Sequence, residues 1–280
     1  MKLRAWLNSN RKVFLDRDLS YLLRNLPGFD KLRGDFREDV FLNKTRLKRL
    51  EEIKRLYAEG MPAAYIIYKE EFFGLEFEVN PQVLIPRKET ELIVEKAIEI
   101  IRDKHLSRVL DLGCGCGNIA ISIKKFLKAK VTVFASDLSF NGLRVAKKNL
   151  IRHNLDVKLV NSDLLMSFKK KTFDLIVSNP PYVEKRFIRG SLGYEPRLAL
   201  NAKDKGMFFI KKILKQGYSC LKKDGFIIIE IGYNHKKLLD SFIKELGFYD
   251  LLEWIKDYSG HWRGVLLKKN EGRGATRDEE

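Results

Sequence analysis

The sequence predicts a doubly wound, mostly parallel α/β sheet behind a small N-terminal helical domain. Two patterns carry that prediction. From about Lys88 onward, short apolar strand-like runs alternate with segments whose apolar residues recur every three or four positions. One of those runs, Arg108–Leu112, feeds directly into a glycine-rich turn and then a helical segment. Alternation of this kind lines strands up in parallel, and ligands of such sheets bind at the strands' carboxyl ends.

Taken in chain order, Leu19–Leu26 reads as a short helix stopped by Pro27-Gly28. Leu47, Leu50, Ile53 and Tyr57 then mark the apolar face of a longer helix with Asn43 as its N-cap, ended by Gly60 and Pro62. The Lys, Arg and Glu residues around it read as a solvated face, with partner docking as the alternative. Residues 1–70 therefore form the helical domain. Over 72–85, Phe73, Leu75, Phe77 and Val79 alternate with Gly and Glu, which predicts a β-hairpin within a linker at 71–87. The main domain spans 88–270. Its predicted helices are Glu91–Ile101, Gly117–Leu127, Ser139–Asn149, Gly206–Leu221 and Lys236–Leu246. Its predicted strands are Arg108–Leu112, Val131–Ser136, Val157–Asn161, Phe173–Ser178 and Phe226–Glu230, closed by an antiparallel pair, Tyr249–Trp254 and Trp262–Lys268. Glu271–Glu280 is a polar, frayed tail.

Composition narrows the class. The 280 residues carry a formal +17, which invites a nucleic-acid reading, but the excess is spread as +6, +5 and +6 over 1–70, 71–170 and 171–280. That excludes a basic arm and leaves only a folded surface patch. A hydrophobic content of 45% is globular rather than disordered. No apolar run approaches the roughly 18 residues needed to span a bilayer, and Met1–Lys12 has no apolar stretch fit for a secretory signal. Three cysteines are too few for a disulfide scaffold, and Cys114 and Cys116 have no Cys/His cluster to complete a metal site. The expectation is a reduced, soluble, cytoplasmic protein without a metal.

The chemistry concentrates at strand ends. Asp111-Leu112-Gly113-Cys114-Gly115-Cys116-Gly117 places three glycines at alternate positions after a buried strand, where backbone can take positive φ or touch a ligand. Its successive amides would favour an anion; the alternative is a plain tight turn. The spacing is G-x-G-x-G, since Asn118 stands where a dinucleotide fingerprint wants glycine. Asp137, at the end of the next strand, can accept hydrogen bonds from both hydroxyls of a ribose, or else serve as a helix cap, a role also open to Ser139. Asp163 could reach an adenine edge with Leu164 packed on the base, or be an ordinary turn residue. The fourth strand ends in Asn179-Pro180-Pro181-Tyr182. There the Asn179 amide oxygen and Pro180 carbonyl make an acceptor pair for a planar NH2 group, with the Tyr182 ring as a stacking face.

In this order these residues resemble the class I S-adenosylmethionine-dependent methyltransferases, and Asn179–Tyr182 resembles their amino-methyltransferase motif. Ile85-Pro86-Arg87-Lys88-Glu89-Thr90-Glu91-Leu92, Phe72–Phe77, Tyr194–Leu200 and Ile229–Gly232 resemble the peptide chain release factor glutamine methyltransferases, with Lys88 where that family usually has proline. The likeness covers roughly 62–270, and the helical domain matches loosely. The resemblance implies a seven-stranded class I methyltransferase sheet. It implies S-adenosyl-L-methionine as donor, S-adenosyl-L-homocysteine as product, and transfer to the amide nitrogen of the Gly-Gly-Gln glutamine in class 1 release factors. It places the donor against Asp111, Gly113, Cys114, Gly115, Cys116, Gly117, Asp137, Asp163, Leu164 and Asn179. The substrate falls to Asn179, Pro180, Pro181 and Tyr182, of which Asn179, Pro180 and Tyr182 would be catalytic.

The implied chemistry is an in-line displacement at the sulfonium methyl by a weakly nucleophilic amide nitrogen. The four histidines, His105, His153, His235 and His261, lie outside the motifs, so catalysis should rest on orientation and on acceptors for developing positive charge. The implied partner is a release factor, with no membrane, no required nucleic acid and a monomeric state. Alternatives are a ribosomal-protein glutamine methyltransferase and, without a visible target-recognition domain, a nucleic-acid amine methyltransferase.

Overall fold

Residues 1–26 and 41–271 are described by a computed structural model. The Pro27-Gly28 stop and the tail beyond 271 lie outside the described residues. Near the N-terminus, helices α1 (Leu3–Asn10), α2 (Asp16–Asn25) and α3 (Lys44–Ala58) bury Trp6, Leu22, Leu23, Leu50 and Ile53 in a core of their own. Asn43 caps α3, its side chain accepting from the Arg46 amide at 2.8 Å. Asn43→Ala should cost about 1 kcal/mol, read as a lower urea midpoint in helix circular dichroism.

The sequence pattern misses α1 and the short α4 (Ala63–Ile67). Four residues of α4 are buried in succession, so no one-sided period betrays it. Ile66 and Ile67 pack into the N-terminal core, whereas Ala64 and Tyr65 pack into the core of the main sheet. One turn of helix therefore staples the two cores together.

The hairpin lies earlier than expected, with β1 (Lys69–Phe72) and β2 (Leu75–Glu78) joined by Phe73-Gly74, both at positive φ. Residues beyond Glu78 in the expected hairpin form turns instead, because they follow the mouth of the cleft described below. Nor is the hairpin a free hinge. Asn149 accepts from the Glu78 amide and donates to its carbonyl, Lys148 pairs with Glu78, and Arg152 pairs with Glu76.

The remaining strands are β3 (Arg108–Leu112), β4 (Thr132–Asp137), β5 (Lys158–Asn161), β6 (Phe173–Ser178), β7 (Leu221–Glu230), β8 (Tyr249–Lys256) and β9 (Trp262–Lys269). They form one seven-stranded sheet in the order β5-β4-β3-β6-β7-β9-β8, parallel up to β7 and antiparallel at β9 and β8. Helices α5 (Lys88–Asp103), α6 (Asn118–Leu127) and α7 (Phe140–His153) cover one face; α9 (Phe208–Cys220) and α10 (Lys236–Leu246) cover the other. Between them the stretch 185–206 forms short 3-10 turns and the one-turn α8 (Arg197–Leu200), which the sequence reading left unassigned.

The chain runs outward from β3 to β5 and then returns to place β6 on the other side of β3. Loops leaving β3 and β6 therefore part in opposite directions. The crevice between them lies at the carboxyl ends of adjacent strands, where a ligand can enter without breaking the sheet.

Candidate functional site

The crevice is a real cleft. It is lined by Gly113, Cys114, Gly115 and Cys116 after β3, Asp137 at the end of β4, Asp163 and Leu164 after β5, and Asn179 and Pro181 after β6. Four other expected site residues are not part of this lining: Asp111, Gly117, Pro180 and Tyr182.

The glycine loop works differently from the anion nest expected of it. The Gly113 and Cys114 amides both donate to the Ser136 carbonyl, at 2.8 and 2.9 Å. The Gly115 amide donates to Asp137 Oδ2 at 2.8 Å, and the Gly117 amide to the Cys114 carbonyl at 2.7 Å. The first three stitch the loop to the end of β4 and the fourth closes the loop on itself, leaving none of these four for an anion. What the glycines supply is room. Gly113 (φ +77°) and Gly115 (φ +53°) line the cleft, and a Cβ on either would meet nothing within 4 Å. A flat ligand can therefore lie against bare backbone. Gly117 (φ +83°) has a packing role, since a Cβ there would press on Ile121 Cδ1 at 3.2 Å and Ala146 Cβ at 3.3 Å.

Asp137 is braced from both sides, Oδ2 by Gly115 and Oδ1 by the Ser139 amide at 2.8 Å. Ser139 itself caps α7 through the Gly142 amide, so the cap does not need Asp137. Each carboxylate oxygen keeps a second lone pair for a hydroxyl. Behind the loop, Asp111 is fully buried, holds the Ala120 amide with Oδ2 at 2.9 Å and has Oδ1 unpartnered. Burial pushes its carboxyl up to about 7. Burial also pushes the Cys114 and Cys116 thiols up, so neither is a ready nucleophile. Leu164 holds left-handed backbone (φ +48°) at the cleft wall, where the Ser162 hydroxyl donates to its carbonyl at 2.9 Å.

At the far end, β6 delivers Asn179. The Ser178 hydroxyl donates to the Leu112 carbonyl at 2.7 Å and ties the end of β6 to that of β3. Asn179 Nδ2 donates to Thr90 Oγ1 at 3.1 Å. Neither Asn179 Oδ1 nor the Pro180 carbonyl accepts a hydrogen bond from a described residue. The Tyr182 ring, expected as an open stacking face, is half-buried and does not line the cleft; its hydroxyl donates to Glu230 Oε1 at 2.9 Å. Glu230 Oε2 accepts from Thr90 at 2.6 Å, and burial pushes this carboxyl up to about 7.

Two further groups hold the walls in place. Buried Glu195 accepts from the Ile85 amide at 3.1 Å and pairs with Arg87, fastening the segment after Tyr182 to the start of α5. Gly206 (φ +88°) lets Tyr182 and His235 approach, because a Cβ there would stand 2.6 Å from the Tyr182 carbonyl and 2.5 Å from His235 Nε2. Gly206→Ala should lower the melting temperature and remove activity, since both neighbours must move; the expected cost is about 3 kcal/mol. His235 accepts the Gly232 amide on Nδ1, and its burial lowers its proton affinity. The remaining histidines are exposed or half-buried on the surface, away from the cleft lining.

The roles of Thr90, Glu230, Glu195, Arg87 and Gly206 leave no local signal in the sequence. Thr90 and Glu230 lie 140 residues apart, and no local pattern marks them as partners.

Residues 90–195 match the methyltransferase small domain. A release factor glutamine methyltransferase of Clostridium botulinum is 35% identical over 90% of this chain and 91% of its own length. One from Borreliella burgdorferi is 36% identical, covering 76% of this chain and 75% of its own. Among solved structures, a ribosomal protein L11 methylase from Lactobacillus delbrueckii subsp. bulgaricus is 24% identical with a TM-score of 0.51, covering 69% of this chain and 84% of that one. A methyltransferase from Pyrococcus furiosus is 22% identical with a TM-score of 0.52, covering 81% and 98%. These two share the fold of the sheet.

Proposed function

The chain belongs to the release factor glutamine methyltransferases, and from that premise we propose that it methylates the side-chain amide nitrogen of the Gly-Gly-Gln glutamine in class 1 peptide chain release factors. S-adenosyl-L-methionine would be the donor, supplying an electrophilic methyl group on a sulfonium. The open cradle at Gly113 and Gly115 and the braced carboxylate of Asp137 fit its adenosyl part, with Asp163 and Leu164 at the base. Asp111 and Gly117 would support that site by holding the loop and α6 from behind.

The observation that carries the reading is the pair of uncommitted acceptors at the end of β6: Asn179 Oδ1, on a residue that lines the cleft, and the carbonyl of Pro180, its neighbour in the chain. A carboxamide NH2 offers two hydrogens in one plane, and two fixed acceptors hold that plane, so the direction of the nitrogen lone pair, perpendicular to it, is fixed as well. They also stabilise the positive charge that grows on nitrogen. No histidine is placed to remove a proton first, which suits an amide that attacks while neutral.

The same reading assigns docking of the release factor to residues 1–70, with 71–87 as linker and 88–270 as the catalytic unit of a cytoplasmic monomer. Among the described residues no helix is long and apolar enough to cross a membrane. The formal +17 then serves to steer an acidic protein surface, an effect that fades with salt. Incubation with methyl-labelled donor and a release factor, a ribosomal-protein fraction or structured RNA tests this. Label on the Gly-Gly-Gln glutamine is the expected result; label confined to ribosomal protein or RNA overturns it.

A further inference from the structure

We propose that Glu230 and Thr90 are positioning residues that fix which end of the Asn179 amide faces the substrate, an inference that rests on the glutamine-methylation reading. The ionised carboxylate has no hydrogen to give, so it accepts the Thr90 hydroxyl on Oε2 and the Tyr182 hydroxyl on Oε1, at 2.6 and 2.9 Å. With its one hydrogen committed, Thr90 Oγ1 can only accept, and Asn179 Nδ2 donates to it at 3.1 Å. The amide is thereby turned with Oδ1 away from Thr90, where it accepts from no described residue. One buried carboxylate on β7 thus orients both the Asn179 acceptor that follows β6 and the Tyr182 ring beyond it.

An uncharged group at 230 breaks this ordering. A carboxylic acid or a carboxamide can donate to Thr90, which frees the Thr90 hydrogen to point at Asn179. The Asn179 amide can then reverse and present NH2 to an incoming NH2, donor against donor. The groups facing Glu230 are Thr90 and Glu89 from α5, Tyr182 from the loop after β6, and Arg263 from β9. Glu89 raises its proton affinity and Arg263 lowers it, while burial dominates and raises it. Arg263 is itself shared with Asp257 at 2.7 Å and Glu89 at 3.5 Å. With its carboxyl pushed up to about 7, Glu230 is only about half ionised at neutrality, and turnover should climb as pH rises through that value.

The test uses the full chain with a release factor as substrate. Glu230→Gln and Thr90→Val should each lower kcat by about 10-fold or more, with the donor dissociation constant within a few-fold of wild type. Thr90→Ser should restore most of the rate. Glu230→Gln should also abolish the rising limb of the pH profile. It should stay folded: a carboxyl whose proton affinity is raised by burial weakens the fold as pH climbs from about 4.5 to 7, so removing its charge does not lower the melting temperature there. A separate readout needs no turnover. The Asn179 side-chain NH2 resonances, identified by their loss in Asn179→Ala, should titrate in wild type and stay constant with pH in Glu230→Gln. Wild-type kcat and pH profile in Glu230→Gln overturn the proposal, as do equal rates for Thr90→Val and Thr90→Ser or NH2 resonances indifferent to Glu230. A wild-type chain that leaves the release factor unlabelled overturns the functional reading instead, and the resonance measurement still decides the orientation.

Discussion

Asn179→Ala is expected to lower the rate of methyl transfer by about 100-fold or more while the donor dissociation constant moves by only a few-fold. Asn179 lines the cleft with its Oδ1 uncommitted, and no amide of the glycine loop is hydrogen-bonded to it. Its nitrogen is spent on Thr90 and its place at the end of β6 is held by Ser178 on the Leu112 carbonyl. Removing the amide therefore deletes one of two acceptors without moving the strand end. The Pro180 carbonyl remains, but a single acceptor leaves the substrate NH2 free to rotate about one hydrogen bond, which loses orientation as well as charge stabilisation. Single-turnover transfer at saturating donor, set beside calorimetric donor binding, separates the two effects. Wild-type turnover in this variant would remove Asn179 from the substrate clamp.

Asp137→Ala should do the opposite, weakening donor binding by about 100-fold with kcat at saturating donor largely kept. Two hydrogen bonds to a charged acceptor contribute on the order of 3 kcal/mol, equivalent to about that factor in affinity. The variant also releases the Gly115 and Ser139 amides, so the cradle loses its brace together with its ribose contact. Burial raises the Asp137 carboxyl, so part of the affinity should vanish on acidification. Asp137→Asn keeps one accepting oxygen and should fall between the two. An unchanged dissociation constant by calorimetry in Asp137→Ala would take the ribose away from this residue.

Much of the fold was legible because its signals are local. Apolar runs of five or six residues, broken by helical periods and ended by Gly, Asp or Asn-Pro-Pro, located β3, β4 and β6 to within a residue or so. The closing antiparallel pair was legible because β8 and β9 follow each other through a turn that no helix interrupts. The missed elements are those without a local period. α4 is buried on all sides, and the turns at 185–206 are shaped by Glu195, Gly206 and their distant partners. The hairpin was displaced because apolar residues (Val79, Val83, Ile85) continue past the true end of β2 into a stretch that serves the cleft.

The site divides in the same way. Gly113, Gly115, Asp137 and Asn179 could be picked out by sequence, because a residue at the carboxyl end of a parallel strand is exposed by topology alone. What those residues do with their hydrogen bonds was decided by the tertiary structure. The Gly113, Cys114 and Gly115 amides turn to Ser136 and Asp137 rather than to an anion, since β4 ends beside them with a carbonyl and a carboxylate. The direction of the Asn179 amide depends on Thr90, 89 residues earlier in the chain, and through it on Glu230, which stands 140 residues from Thr90. A sequence by itself determines which groups reach the rim of the sheet. Which of their donors and acceptors remain for a ligand depends on neighbours that only the folded chain brings within about 3 Å, the distance over which a hydrogen bond acts.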